Sequence, residues 1–132
     1  MQKVEIEKAD RFSQERKMTG KVLEKALQEA LKKIDRLMVD MGDDFPNTHS
    51  AGNVYPPVKN DREWQEGFWT GMLWLAYEVT GESKYREKAE SLLPTFRKRI
   101  VERLGIETHD MGFVYMPSCV AAYKLTGNEE AK

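Results

Sequence analysis

Apolar residues recur at three- and four-residue steps in the first strongly patterned stretch of this chain: Val22, Leu23, Ala26, Leu27, Ala30, Leu31, Ile34, Leu37, Met38 and Met41. Charged side chains fill the other positions. The stretch from Thr19 therefore predicts an amphipathic helix, and Gly42 is a natural stop just past its end. Residues 1–18 are polar and weakly periodic, and read as an N-terminal arm. Residues 43–63 hold Pro46, Gly52, Pro56, Pro57 and several Asn and Asp, which predicts a long irregular connection. A loop of that length is usually functional or disordered.

The next segment changes character. Residues 67–77 carry no charge and include Phe68, Trp69, Met72, Leu73, Trp74 and Leu75. As a helix this segment is apolar all round, which predicts burial on every side. Gly67 and Gly71, one turn apart, leave one face open to the close approach of a neighbour. Thr80-Gly81 ends the helix, and Ser83 is placed to cap the next one. There Tyr85, Ala89, Leu92, Leu93, Phe96, Ile100 and Leu104 form a single stripe among charged residues, with a potential kink at Pro94. That helix reads as a surface helix, and its charge run as a solvated face rather than a nucleic-acid site. Residues 111–123 are again uncharged, and Pro117 reads as a first-turn proline. Thr126-Gly127 is a second stop, and Asn128 is placed to cap another helix.

A repeat underlies this alternation. Ala76-Tyr77-Glu78-Val79-Thr80-Gly81 and Ala122-Tyr123-Lys124-Leu125-Thr126-Gly127 share four of six residues at an offset of 46. The same offset sets Trp64 on Asp110. Buried helix, surface helix, buried helix is the pattern of an all-α, two-layer array, and such repeats need several stacked copies to bury their inner helices. Two inner helices in 132 residues predict a piece of a larger domain, truncated at its C-terminus.

Composition narrows the function. With 40% hydrophobic and 33% charged residues the chain is of the soluble globular type, and one domain's worth at most. Lys and Arg number 21 against 22 Asp and Glu, a net charge of −1 that carries no bias toward nucleic acid or an anionic membrane. A single cysteine, Cys119, excludes an internal disulfide and fits a reducing compartment. Its apolar surroundings favour a small buried residue over a reactive thiol. The charged start is no signal peptide, and the longest uncharged run is too short to span a bilayer, so a cytoplasmic location is expected.

No phosphate loop, dinucleotide fingerprint, HExxH, paired CxxC or nucleophile elbow is present. His49 and His109 are too few for a typical zinc site, so neither metal nor cofactor is expected. What remains is a polar and aromatic constellation at the starts of the two inner helices: Trp64, then His109 and Asp110. Helix starts carry free N–H donors and partial positive charge, which favour an acidic ligand. Trp64 is either a core aromatic or a flat platform for a sugar ring. Asp110 is either a helix cap or an acid sharing proton-transfer work with a second carboxylate. His109 is either structural or part of the same site.

Residues 64–75 (WQEGFWTGMLWL) and 109–115 (HDMGFVY) resemble the unsaturated glucuronyl hydrolases of glycoside hydrolase family 88. Phe45-Pro46, Tyr85-Arg86 and the Tyr-x-x-Thr-Gly stops fit the same likeness, which runs from about Ala26 to Lys132. It implies that residues 19–132 are the N-terminal part of an (α/α)6 barrel, a partial catalytic α/α toroid. It implies a hydrolase that releases the terminal 4,5-unsaturated uronic acid from lyase-generated oligosaccharides by hydrating the enol ether. In that scheme Asp110 assists catalysis, Trp64 stacks on the unsaturated ring, His109 contacts the substrate, and no metal takes part. The family's principal acid/base would fall beyond Lys132, so the 132-residue chain alone is expected to be inactive. The competing reading is a non-catalytic helical-repeat module that binds protein on its concave face.

Overall fold

The computed structural model describes residues 18–59 and 62–132; residues 1–17 of the expected N-terminal arm lie outside the described residues. The described residues divide into two units, residues 18–30 and Leu31–Lys132. The helix predicted from Thr19 is α1, Gly20–Met41. In the first unit the Thr19 hydroxyl and carbonyl both accept from the Val22 N–H, and Val22, Leu23 and Leu27 are exposed. In the second unit Leu31, Ile34, Leu37 and Met38 pack against a core that includes Met41 and Phe45. The connection after α1 is not wholly irregular: β1, Phe45–Pro46, pairs antiparallel with β2, Pro57–Val58.

The second unit is built on α2, Gln65–Thr80, and α3, Ser83–Val101. Beyond them α4, Met111–Tyr115, a π-helical segment, Met116–Val120, and α5, Ala121–Thr126, follow without a break. α2 packs against α3 on one side and against the α4–α5 rod on another. Trp69, Leu73, Trp74, Tyr85, Phe96 and Val114 are almost wholly buried between them. Each large side chain so removed from water contributes roughly 1.5–3 kcal/mol. Phe96 meets Phe45 edge-on, with ring centroids 6.1 Å apart.

The repeat is real in three dimensions. Trp64 and Asp110 each immediately precede a helix, at Gln65 and at Met111, and those helical stretches end at Thr80 and Thr126. At both ends the threonine hydroxyl donates to the carbonyl four residues back, Thr80 to Ala76 and Thr126 to Ala122, each at 2.7 Å. Gly81 and Gly127 then take φ of 71° and 69° and donate to the carbonyls of Tyr77 and Tyr123. The Tyr-x-x-Thr-Gly sequence is thus a stop whose left-handed glycine satisfies the orphan tyrosine carbonyl, while the threonine hydroxyl adds a second hydrogen bond to the alanine carbonyl one residue earlier.

Gly67 and Gly71 are the contact between the two inner rods. A Cβ on Gly67 would lie 2.7 Å from Val114 Cα and would also strike the Phe113 carbonyl; one on Gly71 would lie 2.7 Å from Pro117 Cβ. Pro117 is not in the first turn of the rod, which starts at Met111, but is the second residue of the π-helical segment. It sits inside the rod, where its ring conflicts with the carbonyl four residues back and its missing N–H breaks the ladder. The chain widens there instead, with the Ala121 N–H reaching back to the Met116 carbonyl in a π turn.

Three further expectations change. α2 is not buried on every side, because Phe68, Met72, Leu75 and Val79 lie along one exposed face. Ser83 is the first residue of α3 rather than its cap, a position held by Glu82, whereas Asn128 does cap, accepting from the Glu130 N–H at 3.0 Å. On α3 the charge run is not all solvated. Arg99 is fully buried while Ile100 is 49% exposed, since the core direction after Phe96 passes through Arg99, three residues on.

Candidate active site

Trp64 and Asp110 line one cleft of about 310 Å3, together with Arg62, Glu63, Arg99, Arg103, Glu107, Thr108 and Val114. The repeat explains why. Two helices of the same length begin side by side, so the residue before each start projects at the same end. Trp64 is 44% exposed, unlike the buried Trp69 and Trp74, so it lies outside the core. Its ring stands edge-on to Phe68, 5.4 Å away, and Phe68 in turn lies 5.7 Å from Phe113. The indole is thereby propped with apolar surface left over.

Asp110 opens α4 through its backbone, its carbonyl accepting from Phe113 and Val114, but its carboxylate makes no cap hydrogen bond. The side chain turns instead to Thr108, whose hydroxyl donates to Oδ2 at 3.4 Å and accepts from the Asp110 N–H at 3.2 Å. Oδ1 lies 3.2 Å from His109 Nε2. A carboxylate held off the helix end, part-buried and touched by a hydroxyl and an imidazole, is free to accept from a ligand hydroxyl. His109 lies apart from the cleft: its side chain is 94% exposed and borders a separate hollow with Gly112, Phe113 and Met116. It is not a buried structural histidine.

Sequence reasoning missed Thr108 and Arg99. Thr108 had a legible signal, a hydroxyl two residues before an acidic residue at a helix start. Arg99 had none, being one basic residue among several. Its guanidinium is buried against Glu66, Nη1 to Oε2 at 2.9 Å, with both side chains inaccessible to solvent. Cys119 is part-buried, and burial pushes its thiol pKa up, which keeps it protonated and a poor nucleophile. Among the described residues no cluster of His, Cys, Asp and Glu is arranged to hold a metal ion, and no helix is long and apolar enough to cross a membrane.

No family model matches the chain. It is 38% identical over 126 residues to an unsaturated chondroitin disaccharide hydrolase of Streptococcus agalactiae, covering 96% of this chain and 31% of the relative. It is 37% identical over 110 residues to an unsaturated glucuronyl hydrolase of a Bacillus species, covering 83% of this chain and 29% of that protein. The chain is homologous to the unsaturated glucuronyl hydrolases. A crystal structure of the Streptococcus agalactiae hydrolase, an aspartate-to-asparagine mutant complexed with dGlcA-GalNAc6S, superposes with a TM-score of 0.85 at 38% identity. That match covers 98% of this chain and 34% of the solved one. The fold described above is therefore part of the (α/α)6 barrel of these hydrolases. The chain spans about a third of the length of the curated relatives it matches.

Proposed function

We propose that this chain supplies the sugar platform and one acid of an unsaturated glucuronyl hydrolase of glycoside hydrolase family 88. The reaction releases a terminal 4,5-unsaturated uronic acid from oligosaccharides left by polysaccharide lyases. A proton adds to C4 and water adds to C5; the resulting hemiketal opens to a C5 ketone, and the hemiacetal left at C1 expels the rest of the oligosaccharide as an alcohol, so the formerly unsaturated residue leaves as a keto acid. Trp64 stacks on the unsaturated ring. Asp110 hydrogen-bonds the substrate and assists a second acid/base, and His109 reaches the substrate from the rim beside Asp110. We infer a cytoplasmic setting from the lone, unpaired Cys119.

The observation that carries this reading is the shared cleft: an exposed indole and a carboxylate that is not spent on capping face the same space. Such a pair suits a ring with one apolar face and a rim of hydroxyls. The charged walls, three arginines and three carboxylates, suit a polar ligand rather than a lipid. Proton delivery needs a group within hydrogen-bond reach of the reacting carbon. Asp110 assists rather than delivers in this scheme, so the 132-residue chain alone should be inactive. The test is turnover of an unsaturated chondroitin disaccharide, followed by loss of the enol-ether absorbance. A longer protein that continues this chain through the remaining two thirds present in the relatives should turn it over, and the isolated chain should not. Such a longer protein without turnover, or a chain active alone, would contradict the corresponding half of the proposal.

A further inference from the structure

Arg99 lies on the outer helix, yet it is fully buried and borders the cleft. Its Nη1 donates to the Glu63 carbonyl at 2.7 Å and to Glu66 Oε2 at 2.9 Å, and its Nη2 donates to the Gly105 carbonyl at 3.3 Å. Glu63 is the residue before Trp64, and Glu66 sits in the first turn of the helix that Trp64 opens. Gly105 belongs to the connection that leads through Thr108 to Asp110. There it takes φ of +57° and packs against the Arg62 backbone so closely that a Cβ would lie 2.8 Å from the Arg62 carbonyl. One guanidinium thus ties the strand of chain that presents the indole to the strand that presents the carboxylate.

We propose that Arg99 is a positioning residue: its fork fixes the spacing between Trp64 and Asp110 across the cleft. This rests on the reading of that cleft as the sugar site. The physical case is economy of alternatives. A buried ion pair is weak evidence for stability, because well-packed apolar residues of similar volume often serve as well or better. A planar fork that donates to a carboxylate and to two carbonyls from different segments does what such residues do not, which is to set a distance. Lysine offers a point charge on a flexible stem and cannot span all three acceptors in the same geometry.

The experiment uses the same longer protein with Arg99→Lys, and with the paired change Arg99→Met and Glu66→Met, which removes both charges of the buried pair together. Hydrogen exchange is read in segments 62–66 and 105–110, beside the thermal midpoint, kcat and KM for an unsaturated chondroitin disaccharide. We expect Arg99→Lys to speed exchange in both segments, to raise KM, and to lower kcat/KM by between about tenfold and a hundredfold. The paired variant should keep a thermal midpoint near the parent's and still show the raised KM. Exchange unchanged in both segments overturns the proposal. So does a fall in apparent kcat that merely tracks the folded fraction at constant KM, the mark of a structural role. If both segments loosen while Trp64→Ala and Asp110→Asn leave turnover intact, the clasp stands and the sugar-site reading falls.

Discussion

Trp64 and Asp110 show how position in a repeat converts ordinary residues into a site. A tryptophan beside an apolar helix is commonly core, and an aspartate before a helix is commonly a cap. Here the indole is half exposed and the carboxylate turns to Thr108 and His109. If these two share a sugar, their losses should differ in kind. Asp110→Asn in that longer protein should lower kcat by about 10²–10³ with little change in KM, as expected for a hydrogen-bonding group whose contact strengthens in the transition state and tunes a second acid/base. Trp64→Ala should chiefly raise KM, by about tenfold for a lost ring contact worth ~1.4 kcal/mol. Steady-state kinetics that show the reverse split would refute the assigned roles. The residue order and the shared phase of Trp64 and Asp110 were legible from spacing alone. Arg99 was not, because the direction a charged side chain takes on a helix depends on which neighbours occupy the adjoining face.

Among the helices, the closest fit is between α2 and the α4–α5 rod. Gly67 and Gly71 were readable as a small-residue face, but the partner surface was not: it includes the carbonyl of Phe113 and the ring of Pro117. Gly67→Ala should therefore force the two rods apart and cost about 1–3 kcal/mol, seen as a lowered denaturant midpoint. A stability equal to the parent's would show that the rods yield more easily than their contact implies. The start of α3 offers a milder test. Lys84 Nζ lies 2.9 Å from Asp35 Oδ1, and that hydrogen bond lowers the Asp35 pKa below its ordinary value. A depressed folded-state pKa contributes stability above the unfolded value, near 3.9, and the contribution fades as pH falls through the folded value. The pair is 44% exposed on both sides, so Asp35→Asn should cost less than ~1 kcal/mol at neutral pH. Melts of parent and variant should converge in acid; a gap that widens there would reverse the sign of the argument.

Across the assembled second unit, one face remains apolar and uncovered. Phe68, Met72, Leu75 and Val79 of α2 are exposed, as are Phe113 and Met116 nearby in the other rod. The relatives are about three times as long as this chain, so the extra length in them provides material for further packing. We expect the 132-residue chain on its own to melt with poor cooperativity and a midpoint that depends on protein concentration. A sharp, concentration-independent transition of a monomer would contradict this. Trp69 and Trp74 are 1% exposed, buried in one core with residues of α3 and with Phe45 of β1, against which Leu31, Ile34, Leu37 and Met38 of α1 pack.

Local pattern was enough to define the helices, their two Tyr-x-x-Thr-Gly stops, the two-layer alternation and the phase that pairs Trp64 with Asp110. All of these follow from periodicity, side-chain size and short-range hydrogen bonding, which a linear chain displays openly. Packing alone settled that Pro117 lies inside a π turn, that Arg99 points inward, and that His109 stands exposed beside Asp110 rather than in the cleft lining. Those outcomes depend on which surfaces meet, and contacts between segments dozens of residues apart leave no mark in the spacing of either one.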